Sequence, residues 1–104
     1  DLAGANLTEA DLSRSMLAGA SLSQSNLTGA NLSESNLSQV DLTEANLTAA
    51  LLSEANLSQT NLKGANLTNA LAREADFSGA NLTGAITDGL NSELAVRPDG
   101  TIDT

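Results

Sequence analysis

Cysteine, histidine, tryptophan and tyrosine are absent from this 104-residue chain, and Phe77, Pro98 and Met16 are each the only residue of their kind. Without cysteine there is no disulfide framework and no thiol chemistry. Without histidine, the common zinc sites and imidazole acid–base catalysis are excluded. Positive charge is scarce as well: four Lys and Arg stand against thirteen Asp and Glu, a formal net charge of −9. Such a surface repels nucleic acid and anionic membranes and is compatible with a basic partner. Apolar runs extend over only a few residues, so no segment can span a bilayer, and no signal-peptide pattern is present. The length suits one domain.

What is there in abundance is a repeat of five residues. Of the seventeen positions 2, 7, 12 and so on to 82, fifteen are Leu, and the others are Ala72 and Phe77. Two residues before each of these centres sits a small residue, Ala at most places, Ser at 15, 25 and 35, with Val40 and Thr60. Asn or Asp usually precedes the centre and Ser or Thr usually follows it. Six of the eight glycines fall two residues after a centre.

A five-residue period fits neither regular element. On a helix each step advances about 500°, so the leucines would spiral around the axis and form no stripe. On a strand the odd period would point successive units to opposite faces. A corner in every unit resolves the conflict: both apolar positions then face inward, and the Gly-rich position supplies the positive φ of a type II turn. The product is a coil with short sides, whose backbone is satisfied only by stacking coil on coil.

Units such as Ala5-Asn6-Leu7-Thr8-Glu9, Ala45-Asn46-Leu47-Thr48-Ala49 and Ala65-Asn66-Leu67-Thr68-Asn69 resemble the A(D/N)LXX consensus of pentapeptide repeat proteins. The resemblance covers residues 1–86. It implies an all-β fold, a right-handed quadrilateral parallel β-helix with four units per coil and residue n stacked on n+20. Residues 1–86 then make about four coils, a rod of about 20 Å. The chain starts at Asp1 in mid-pattern, so a preceding segment is expected. The expected compartment is the cytoplasm, with the periplasm or thylakoid lumen as alternatives.

Stacking at n+20 sorts the residues into columns. Leu2, Leu22, Leu42, Leu62 and Leu82 form one inward column, and Ala72 with Phe77 reads as a volume exchange within one coil. Ser15 over Ser35, and Thr60, are expected inside, with hydroxyls bonded to backbone or to one another. Outside, Asn6/Asn26/Asn46/Asn66 and Thr8/Thr28/Thr48/Thr68 form two ladders, read as mutually hydrogen-bonded along the axis. Arg14, Glu34, Glu54 and Glu74 form a column read as a solvated face, with Leu51 and Leu71 as an apolar patch beside it. These five residues, Glu34, Glu54, Glu74, Leu51 and Leu71, are the candidate interaction face.

After Ile86 the leucine period breaks, and residues 87–104 read as a C-terminal cap. Asp88 is expected to start a short helix whose Leu90 and Leu94 close the core. A hairpin around Pro98-Asp99-Gly100 is then expected to pair Val96 with Ile102. The other end shows no such cap, so a monomer or a weak end-to-end dimer is expected.

The acids are dispersed and a side-chain-filled coil offers no cleft, so no enzymatic activity, cofactor or metal is expected. The resemblance implies a structural or protein-interaction scaffold with a protein partner. An alternative comes from family members that are acidic helices protecting gyrase: a DNA-mimicking modulator of a type II topoisomerase. Residues 1–86 hold nine acids and three bases, about half the charge per length of duplex DNA, spread over four sides. A further alternative is ice or surface binding through the Asn/Thr ladders.

Overall fold

The structure is a computed structural model that describes residues 1–100. It is a right-handed square solenoid of five stacked coils, residues 1–20, 21–40, 41–60, 61–80 and 81–100. Each side contributes a single bridged residue per coil, except at Asp1, which forms no bridge. Asn6 pairs in parallel with Asn26, Asn26 with Asn46, Asn46 with Asn66 and Asn66 with Ile86, twenty residues apart at every step. One such bridge consists of the Asn26 N–H donating to Ala5 O at 2.9 Å and the Leu7 N–H donating to Asn26 O at 2.7 Å. The sides are numbered here by the units that follow one another in coil 1, centred on Leu2, Leu7, Leu12 and Leu17.

The corners explain how so short a side is possible. In each unit the small residue donates its N–H to the preceding centre's carbonyl, as Ala50 does to Leu47 at 3.0 Å. This closes a four-residue turn whose third residue is left-handed. Glycine fills that position at some corners, but Glu54 (φ 59°), Ala49 (φ 58°) and Gln59 (φ 57°) also adopt it. The left-handed region costs a non-glycine residue about 1–2 kcal/mol. An axial hydrogen bond at the same residue offsets the strain: the Glu54 N–H donates to Arg73 O at 2.9 Å.

Inside, the centres of coils 2 to 4 form a continuous core. Leu22 through Leu67 at these positions have no exposed surface, and Ala72 and Phe77 are buried together in coil 4. Each buried leucine contributes roughly 1.5–3 kcal/mol. Coil 1 is covered on one side only, and its Leu7, Leu12 and Leu17 are half-buried.

The expected C-terminal helix does not form. Leu90 N–H donates to Thr87 O at 3.0 Å and Ala95 N–H to Ser92 O at 2.9 Å, the same corner bond as in every other unit. Gly89 (φ 71°) and Leu94 (φ 62°) occupy left-handed corners, and Ile86, Asn91 and Val96 bridge Asn66, Leu71 and Asp76. The solenoid therefore has five coils where the leucine count suggests about four. The open edge of coil 4 presents a full row of donors and acceptors, and a coil laid on it satisfies more backbone than one turn of helix would. Leu90 does pack against the core, from the small-residue position, whereas Leu94 is 40% exposed on a corner and closes nothing. A turn spans Arg97 to Gly100, with the Gly100 N–H donating to Arg97 O at 2.8 Å. Val96, however, pairs in parallel with Asp76, and its expected partner Ile102 lies outside the described residues.

Candidate functional site

The Asn or Asp before each centre has a local task. The Oδ1 of Asn46 accepts the Thr48 N–H at 3.0 Å and the Thr48 hydroxyl at 2.6 Å. Asn6, Asn26 and Asn66 bond Thr8, Thr28 and Thr68 in the same way. These are Asx-type turns within a coil, and they replace the expected hydrogen bonding along the ladder. A carboxylate does the same at Asp11 and Asp41. The Ser13 hydroxyl and N–H, with a smaller contribution from Arg14, hold the Asp11 carboxyl below its ordinary value. The Thr43 hydroxyl and N–H lower Asp41 likewise.

The buried hydroxyls are equally local. Ser25, Ser35 and Thr60 donate to the carbonyls of Leu22, Leu32 and Leu57, three residues back. Among the described residues no buried side-chain N or O lacks a hydrogen-bond partner. Ser15, in the outer coil, is only half-buried.

Side 3 departs furthest from this pattern. Leu51 and Leu71 stand where the repeat places Asn or Asp, bridge each other directly across coils 3 and 4, and Leu71 is 44% exposed. Three residues after each of them, at the corner that follows side 3, stand Glu54 and Glu74, in line with Arg14, Glu34 and Leu94. The column is partly compensated: Arg14 Nε lies 3.5 Å from Glu34 Oε1, and Arg73 lies 3.5 Å from Glu74 and 3.9 Å from Glu93. Such exposed pairs contribute little to stability, about 0–1 kcal/mol each. Among the described residues Glu54 has no ion pair within 4 Å. The fold therefore brings Glu34, Glu54, Glu74, Leu51 and Leu71 onto one side and its corner.

Two concavities were not legible in the repeat. A shallow groove of about 380 Å³ on side 1 is bounded by Thr43, Glu44, Lys63 and Thr83, and opens where Gly64 and Gly84 carry no side chain. A smaller cleft of about 140 Å³ at the C-terminal end lies among Phe77, Leu82, Leu90, Ser92, Ala95 and Val96. Ser92, which takes a centre position over Ala72, borders it with a small polar side chain where the repeat places Leu. Among the described residues, no three potential ligands cluster as a metal site would require, and no helix is long and apolar enough to cross a membrane.

The family model for pentapeptide repeats matches eight copies across residues 1–33, 25–50 and 50–86. No curated protein matches. Among solved structures, a pentapeptide repeat protein (Rfr23) from the cyanobacterium Cyanothece 51142 superposes with a TM-score of 0.84 and 34% identity, over 90% of this chain and 64% of its own. A pentapeptide repeat protein from the thylakoid lumen of Arabidopsis thaliana gives 0.87 and 29%, over 90% and 66%. HetL from Nostoc sp. strain PCC 7120, described as involved in regulating heterocyst differentiation, gives 0.50 and 27%, over 96% and 65%. The chain thus spans a little under two thirds of each of these proteins. With the family pattern matched over residues 1–86 and the same backbone carried on to residue 100, the chain belongs to the pentapeptide repeat family.

Proposed function

We propose that the chain is a non-enzymatic scaffold that engages a protein partner through side 3 and its glutamate corner. The observation that carries this reading is the place where the sequence leaves its own repeat: the interior and the Asx turns are accounted for by folding, whereas stacked outward leucines beside a carboxylate column are not. A filled interior and shallow surface concavities support a binding surface over a reaction site. The described role of HetL in a regulatory process is compatible with that reading.

Mimicry of DNA draws less support. Arg14 heads the acidic column and Arg73 stands beside Glu74, pairing with the first and last of three acids in line, which is shorter and more compensated than a phosphate-like run of charge. The Thr8, Thr28, Thr48 and Thr68 hydroxyls already donate to Asn neighbours, which leaves only their acceptor lone pairs to an ice lattice.

The test is capture from extract of the source cell. Changing Glu34, Glu54 and Glu74 together to Lys should abolish capture of the partner, while Glu44→Lys at the opposite corner should leave it intact. Equal capture by all three proteins, or none by the unaltered chain, would overturn the proposal.

A further inference from the structure

Leu51 and Leu71 are costly where they stand. At an Asn position the Oδ1 would accept the N–H and hydroxyl two residues on, as Asn31 does from the Ser33 N–H at 3.0 Å and Asn56 from Ser58 at 3.0 and 2.6 Å. A leucine provides neither bond, so the N–H groups of Ser53 and Arg73 forgo a local acceptor. Met16, Ile86 and Val96 are also apolar at this position, but none of them has an apolar neighbour at that position in an adjoining coil. Leu51 and Leu71 are the only such pair stacked in successive coils among the described residues, and they meet in a direct bridge. A local rule broken twice in register, at a position where Leu71 stays exposed, points to recognition.

The charges around the pair select the partner. Glu34 and Glu74 each have an arginine within 3.5 Å, and Glu54, between them and in the same coil as Leu51, has none. One uncompensated carboxylate therefore lies beside the apolar strip, flanked by further acids at the spacing of one coil, about 4.8 Å. A second copy of the chain would bring carboxylates against carboxylates, and nucleic acid is repelled. The site is also short: Leu51, Glu54 and Leu71 lie within two successive coils, a span that a few extended residues cover.

We propose that side 3 binds a short basic peptide segment, its apolar residue seated on Leu51 and Leu71 and its Lys or Arg placed against Glu54. This rests on the scaffold reading and adds the chemistry of the partner. An extended segment with Leu and Lys two residues apart presents both groups on one face, so that Leu can sit on Leu51 and Leu71 while Lys reaches Glu54.

The test uses a fluorescent eight-residue peptide in which Leu and Lys alternate at every second position with Ser between them, with fluorescence anisotropy as the readout. Three control peptides replace Leu by Ser, replace Lys by acetyl-lysine, or replace Lys by Glu. The unaltered protein should bind the Lys/Leu peptide at least tenfold more tightly than any control. Leu51→Asn with Leu71→Asn restores the repeat, so it should keep the fold by circular dichroism and weaken binding at least tenfold. Glu54→Gln should weaken it severalfold and reduce its salt dependence, whereas Glu44→Gln should change nothing. Unchanged binding by the double Asn variant, or equal losses for Glu54→Gln and Glu44→Gln, would overturn the proposal, as would concentration-dependent self-association on side 3 detected by light scattering. If a cellular partner is captured, the triple Lys variant loses it and the double Asn variant captures it equally well, the peptide site is wrong and the scaffold reading stands for the glutamate corner alone.

Discussion

Coils 2 to 4 and coil 5 share a backbone and differ in what fills it. In the first group every centre is a buried Leu, Ala or Phe, whereas in coil 5 the centres are a half-buried Leu82, an exposed Thr87, Ser92 and an exposed Arg97. The corner bonds and parallel bridges nevertheless continue, with Asn91 N–H donating to Ala70 O at 3.0 Å and Val96 N–H to Ala75 O at 2.8 Å. Shape in this fold is set by the hydrogen-bond edge of the coil beneath, and stability by the leucines. A coil can therefore be regular and poorly filled, and coil 5 has an apolar cleft of about 140 Å³ to show for it.

The largest test of this contrast is Leu47→Ala, between the equally buried Leu27 and Leu67 of its column. It should cost about 2–5 kcal/mol in urea melts, the range for truncating a buried leucine that leaves a cavity. A loss below 1 kcal/mol would mean that the middle coils are no better packed than the last. Filling coil 5 should work in the other direction. Ser92→Leu restores the repeat at a centre stacked over Ala72 and bordering the cleft, and should raise stability by about 1–2 kcal/mol. A decrease would show that Leu90 already occupies the available volume.

Smaller effects are expected on the outside. Thr48→Ala removes one hydroxyl bond to Asn46 but leaves the Thr48 N–H bond in place, and should cost well under 1 kcal/mol in the same melts. The least effect concerns acid. The folded-state pKa values of Asp11 and Asp41 lie below the ordinary 3.8, so the stability they contribute is present above that value and is lost as pH falls through the depressed ones. Asp11→Asn with Asp41→Asn keeps an Oδ1 acceptor that does not titrate. The drop in melting temperature between pH 6 and pH 3 should accordingly be slightly smaller in that variant than in the unaltered chain, and an identical drop would remove the linkage.

The fifth coil marks where the sequence stopped being readable. Gly89 follows Gly84 by five residues, Asn91 keeps the position before a centre and Ala95 keeps the small position, so the register was present after Ile86. Polar centres hid it, and Leu90 with Leu94, four apart, imitated a helical face. The candidate face was legible in a different sense: the step of twenty residues put Leu51 over Leu71 and Glu34, Glu54 and Glu74 in line before any coordinates. Which of those glutamates keeps an arginine, and that the Asn and Thr side chains bond within a coil, depended on side-chain geometry that no column diagram contains.

By itself the sequence determined a stacked coil, its period and its inward residues, because a five-residue repeat of small and large apolar groups has a solution only if the chain turns once per unit, while the square section of four units per coil was implied by the resemblance to pentapeptide repeat proteins. The tertiary structure decided that the solution continues past Ile86 and how its surface is wired. Both depend on what the neighbouring coil offers: an open row of backbone donors and acceptors carried the fold past its last leucine to residue 100, and the reach of Arg14 to Glu34 and of Arg73 to Glu74 left Glu54 as the unpaired carboxylate of its column.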